Sequence, residues 1–147
     1  MTWKLSLIPQ EQVRTAWPTI APLLAKALPY AAGRTNLRAV FTAALEERQW
    51  LWVAFEDDER TISAAFVTHL AQYPGCAALV IDLAGGSRMR GWLRIASATF
   101  RNCARDMGAD RVELYGRPGW ARVLKSCGWQ QKLVVMEVDA APAAEGV

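Results

Sequence analysis

Between Ala77 and Tyr115 the chain spells out a unit that few folds can accommodate. Ala77-Ala78-Leu79-Val80-Ile81 is apolar without a break, the pattern of a central strand covered on both faces. Gly85-Gly86-Ser87 interrupts that run. The helix expected after it gathers Trp92, Ile95, Ala96, Phe100, Cys103, Ala104 and Met107 on one face, with Gly108 placed to cap its end. Arg111 to Tyr115 then reads as another strand. Strand, helix, strand in this order is a parallel crossover, so a sheet that is otherwise antiparallel must contain one parallel pair.

The rest of the chain supplies that antiparallel part. Trp50 to Glu56, Thr61 to Leu70 and Cys76 to Leu83 read as a three-stranded meander, with turns at Asp57-Asp58-Glu59-Arg60 and Tyr73-Pro74-Gly75. Before it come a short strand at Trp3 to Ile8 and two helices. The first carries Val13, Trp17, Ile20, Leu24, Ala27 and Leu28 at helical spacing, and Pro18 and Pro22 are expected to start or kink it. The second carries Leu37, Val40, Phe41, Ala44 and Leu45 behind the capping residues Thr35 and Asn36. After Tyr115 a short helix is expected over Pro118 to Ser126, ended by Gly128, and then a last strand over Trp129 to Val138. The expected class is α+β: a mixed, mostly antiparallel sheet with helices on both faces. It forms one domain over residues 1–139, followed by a flexible tail over 140–147.

Composition narrows the function classes. No run approaches the ~20 apolar residues that cross a bilayer, and Met1-Thr2-Trp3-Lys4 does not begin a secretory signal, so a cytoplasmic protein with no membrane partner is expected. Cys76, Cys103 and Cys127 are odd in number and widely spaced, and His69 is the only histidine, a poor set for a metal site or a disulfide framework. A net charge of +3 is too small to mark a nucleic-acid binder. The apolar fraction of 52% with seven tryptophans leaves room for aromatic surface reserved for a ligand or partner, although a Trp-rich core would look the same.

The order of elements up to about Asp139 resembles that of the GNAT acetyltransferases. Two segments carry the likeness: the strand, glycine loop and helix from Ala77 to Gly108, and Ala121-Arg122-Val123-Leu124-Lys125-Ser126-Cys127-Gly128-Trp129, which is similar to that family's late helix followed by glycine and an aromatic. Gly116-Arg117-Pro118-Gly119-Trp120 is similar to an element of small phage-encoded GNAT-like proteins, which would make the protein virion-associated if structural. The resemblance implies acetyl-CoA as co-substrate, its pyrophosphate held over Gly85, Gly86, Ser87, Arg88, Arg90 and Gly91. It also implies a backbone N–H of Leu83 or Ala84 polarising the thioester carbonyl. The chain departs from the family in two places. With Gly91 ending the pyrophosphate motif, Gly86 stands where Arg or Gln is expected and Met89 where glycine is. Leu124 occupies the position of the tyrosine that protonates the departing thiolate in many members.

On chemical grounds, a phosphate-holding loop needs free backbone N–H groups, small residues and a helix N-terminus, and residues 85–91 could supply them. The same glycines could equally serve only to turn the chain from strand into helix. Acyl transfer to an amine needs a base, for which Asp82 and Glu113 are candidates, and an acid, for which Tyr115 is one because it shares the face of Glu113. His69 is expected to be structural, and Arg117 to brace its loop by hydrogen bonds to carbonyls or by stacking on a tryptophan. Arg90, Arg94, Arg101 and Arg105 fall on one helix face with Arg88 nearby, either solvated or turned toward coenzyme phosphates or an acidic partner. Two functions follow: an N-acyltransferase acting on coenzyme A and an amine acceptor, or a non-catalytic protein of the same fold that binds a protein partner or its own copies.

Overall fold

In the computed structural model, which describes residues 2–58 and 60–141, the chain runs β1 (Trp3–Leu7), α1 (Val13–Ala25), α2 (Leu37–Leu45), β2 (Trp50–Glu56), β3 (Ile62–Gln72), β4 (Ala77–Gly86), α3 (Met89–Asp106), β5 (Arg111–Leu114) and α4 (Gly119–Leu124), with single 3₁₀ turns between. The five strands lie in sequence order in one sheet. Every pair is antiparallel except β4 with β5, which the α3 crossover makes parallel. The α+β class expected from the sequence is the one observed.

Strand alternation divides the core into two layers. Leu51 and Val53 of β2, Ala65 and Val67 of β3 and Leu83 of β4 face α1 and α2, where Val13, Ile20, Leu24, Val40 and Ala44 close the layer. Trp52, Ala54, Ala64, Phe66, Leu79 and Ile81 face the other way, onto Trp92, Ala96, Phe100 and Ala104 of α3. That second layer is aromatic at its centre. Phe66 meets Trp92 edge-on with ring centroids 5.0 Å apart, and Trp52 meets Phe100 edge-on at 5.2 Å. The buried indole N–H of Trp52 is satisfied by Thr68 Oγ1 at 2.9 Å.

Local signals explain most boundaries. Asn36 caps α2, its Oδ1 accepting from Ala39 N–H at 2.8 Å. Gly108, at φ +77°, follows the end of α3, and Gly128, at φ +87°, ends the turn after α4. Two expectations are corrected and a third is narrowed. Of the two roles expected for Pro18 and Pro22, starting α1 is excluded, since the helix begins at Val13 and runs through both prolines, which are exposed. Strand β4 does not stop before the glycines but continues through Gly86, paired with Ala64. The strand expected over Trp129 to Val138 does not form: Trp129 is tied to Ser97 of α3, its indole N–H donating to Oγ at 2.9 Å, and the following residues are exposed with no strand opposite them. An apolar, β-branched run has no strand conformation to hold without a ladder. Of the expected tail over 140–147, residues 142–147 lie outside the described residues.

Candidate active site

The site follows from a difference in strand length. The parallel ladder runs from Ala78 opposite Arg111 to Ile81 opposite Leu114, and its last bond is from Tyr115 N–H to the Ile81 carbonyl at 3.2 Å. Beyond Ile81, β4 continues to Gly86 beside β3 alone. Its far edge opens into a cleft of about 250 Å³. One wall is Asp82, Leu83, Ala84 and Gly86, and the facing wall is Tyr115, Gly116, Arg117 and Trp120. The end of α1 and the turn after it add Lys26 and Tyr30, and Ser87, Arg88 and Met89 close the loop side.

A β-bulge sets the direction of Asp82. Val67 pairs with Leu83 and Thr68 with Ile81, so Asp82 has no residue opposite it, and Leu83 faces the α1 layer although Ile81 faces α3. Asp82 Oδ2 lies 2.6 Å from His69 Nδ1 and accepts from Gln49 Nε2 at 3.1 Å. Its side chain is 17% exposed. Burial pushes its pKa above the ordinary value, against the opposing pull of His69 and Gln49.

The other two candidates for proton transfer are separated. Tyr115 is half exposed on the cleft wall. Glu113 lies in register with Val80 and is not among the residues lining the cleft; it accepts from Tyr73 Oη and Arg111 Nε, each at 2.9 Å. Hydrogen bonding to Tyr115 and Glu113 pushes the Tyr73 phenol well above its ordinary pKa.

The glycine loop is occupied by protein on the side where side chains would point. A Cβ on Gly85 would lie 2.2 Å from the Leu23 carbonyl oxygen, and one on Gly86 would lie 2.2 Å from the Ser63 oxygen and 2.5 Å from Ala64 Cα. At Gly91 it would enter the indole of Trp3. Arg88 takes a left-handed conformation at the start of α3, pairs with the buried Glu56 at 2.9 Å and stacks over Trp3 at 4.9 Å. Of this loop, Gly86, Ser87, Arg88 and Met89 line the cleft. Lys26, Arg88 and Arg117 all line the cleft. Arg117 stacks on Tyr30 at 5.2 Å, a tyrosine from a distant turn rather than a tryptophan. Leu83, Ala84, Gly86, Ser87 and Arg88 line the cleft; Gly85, Arg90 and Gly91 do not. Leu124 is buried beside a small apolar hollow shared with Trp120 and Trp129, so no hydroxyl stands at that position.

Sequence reasoning did not single out Lys26, Tyr30, Gln49 or Tyr73. No short-range signal marks them: each reaches the site or its supports through the fold alone. His69 carried a signal as the single histidine, but its partner lies on another strand.

No family model and no curated protein matches the chain. Solved structures do match its fold. Glucosamine-6-phosphate N-acetyltransferase of Arabidopsis thaliana superposes with a TM-score of 0.63 at 20% identity, over 96% of this chain and 100% of that one. A predicted acetyltransferase of Clostridium acetobutylicum, solved with acetyl-CoA, gives 0.65 at 14% identity, over 94% and 96%. A GNAT family acetyltransferase of Staphylococcus aureus gives 0.60 at 11% identity, over 95% and 99%. The chain has the GNAT fold.

Proposed function

We propose that the protein is an N-acyltransferase that moves an acetyl group from acetyl-CoA to an amine. The observation that carries this reading is the cleft where β4 outruns β5. It combines an unpaired strand edge, a carboxylate and a rim of cations, in a fold shared with acetyltransferases. The residues present fit the co-substrate by charge and by strand edge rather than by glycine space. Lys26, Arg88 and Arg117 suit phosphates, and the free edge from Asp82 to Gly86 suits an extended, amide-bearing arm. Bound coenzyme would supply an activated thioester.

This chain's own groups would do the rest. A backbone N–H of Leu83 or Ala84 would polarise the thioester carbonyl. Asp82, with its raised pKa, takes the proton from the acceptor amine, and the Tyr115 hydroxyl returns one to the leaving group. Glu113 acts at a distance, by holding Tyr73 beside Tyr115.

A second reading, a non-catalytic binding or structural protein, is favoured by the packing that accounts for Gly85, Gly86 and Gly91 and by Leu124. Calorimetry with acetyl-CoA separates the two. Binding that weakens roughly tenfold in Lys26→Ala and again in Arg117→Ala supports the enzyme, since one lost cation contact costs about 1.4 kcal/mol at that ratio. No heat at millimolar acetyl-CoA would favour the second reading.

A further inference from the structure

Asp82 is held from outside the cleft it serves. Its Oδ2 is occupied by His69 Nδ1 at 2.6 Å and Gln49 Nε2 at 3.1 Å, while the residue itself lines the cleft. His69 does not line the cleft. It stands on β3, on the α1 and α2 side of the sheet, with its side chain one third exposed. The bulge leaves Asp82 without a residue opposite it in the ladder, and its Oδ2 is held by two side chains, His69 and Gln49.

We propose that His69 is the positioning residue of this site: it donates its Nδ1–H to Asp82 Oδ2 and so turns Oδ1 toward the acceptor amine in the cleft. The inference rests on the acyltransferase reading and adds to it a residue that touches no substrate. In the step served, an N–H bond of the acceptor breaks and an O–H bond forms at Asp82, while the imidazole keeps its own proton. The donor requirement sets the tautomer: Nδ1 carries hydrogen and Nε2 is bare or meets water. The groups facing Asp82 are His69 from β3, Gln49 from the α2–β2 connection, and, across the cleft, Lys26, Tyr115, Arg88 and Arg117.

Because His69 is the only histidine, ¹⁵N NMR of the imidazole in the free full-length protein reads the pair directly, with no coenzyme present. The expected result is a single Nδ1–H tautomer above the imidazole titration, lost in Asp82→Ala, which removes the acceptor. An Nε2–H tautomer, or a spectrum unchanged by Asp82→Ala, would overturn the inference. The ¹³C titration of the Asp82 carboxyl should move to higher pH in His69→Leu, which removes a donor to the charged form, and return toward its original position in His69→Asn, whose amide can replace the Nδ1–H. An unmoved midpoint in His69→Leu would also overturn it. In the acetyl-transfer assay the acid limb of kcat/KM should shift with that midpoint, and kcat should fall at least tenfold in His69→Leu while the affinity for acetyl-CoA stays unchanged. A lost kcat with an unmoved acid limb identifies a merely structural histidine and overturns the inference. Absence of transfer to any amine with the NMR pair intact overturns the acyltransferase reading instead.

Discussion

Gly86 shows how one residue type can be read in two ways. A glycine after a strand and before a helix looks like a hinge or a phosphate cradle, but this one sits inside the ladder at φ +147° with Ser63 and Ala64 where its Cβ would be. Backbone atoms cannot give way as a flexible side chain can. Gly86→Ala should therefore lower stability by roughly 2–4 kcal/mol, read as a shifted urea midpoint, which makes it a poor probe of ligand binding. Lys26 and Arg117, which are exposed, are the better probes. Asp82 yields a prediction with a definite sign. Its folded pKa lies above the ordinary 3.8, so between those values the native state keeps a proton that the unfolded chain has lost. Its contribution to stability is therefore present below pH 3.8, falls as pH rises through the window, and is level above it. Urea unfolding at a series of pH values should show the stability of Asp82→Asn relative to the parent protein increasing across that window. A constant difference would mean that burial does not act on this carboxyl.

Elements whose apolar period was unambiguous were legible. β2 occupies the residues expected, and α3 follows its stripe because Trp92, Ala96, Phe100 and Ala104 all land in the aromatic layer. Phe100 is 1% exposed and touches the rings of both Phe66 and Trp52, so Phe100→Ala should cost about 3–5 kcal/mol, measured by chemical unfolding, with coenzyme affinity little changed in the folded fraction. The misread elements share a cause. The end of β4, the prolines inside α1 and the absent last strand were each judged from local punctuation, while the outcome was decided by what lies opposite: Ala64 for Gly86, solvent for Pro18 and Pro22, and nothing for the run after Trp129. The site was legible to the same extent. Asp82 and Tyr115 could be placed near a splaying pair of strands, but the bulge that turns Asp82 toward His69 is a matter of cross-strand register, which no single segment encodes.

On the scale of the whole molecule, the described structure leaves one apolar, Val-rich run outside the fold. Leu133, Val134, Val135, Met136 and Val138 are 85%, 72%, 69%, 89% and 92% exposed, and the outer edge of β5 has no strand beside it. These residues bury little against the rest of the chain, so they contribute little to its stability as a monomer. A chain ending at Gln131 should unfold within about 0.5 kcal/mol of the full-length protein in dilute solution, because surface groups away from packed contacts change stability by no more than that. Trp129, which holds Ser97, marks the limit: ending the chain at Gly128 removes that hydrogen bond and exposes the apolar hollow beside Leu124, and should cost 1 kcal/mol or more, as about one net hydrogen bond and part of a buried indole are lost. Denaturation of the two truncations at micromolar concentration tests the division. Destabilisation of the longer one by several kcal/mol would show that residues 132–138 pair within the fold after all, with the β5 edge as the place for them.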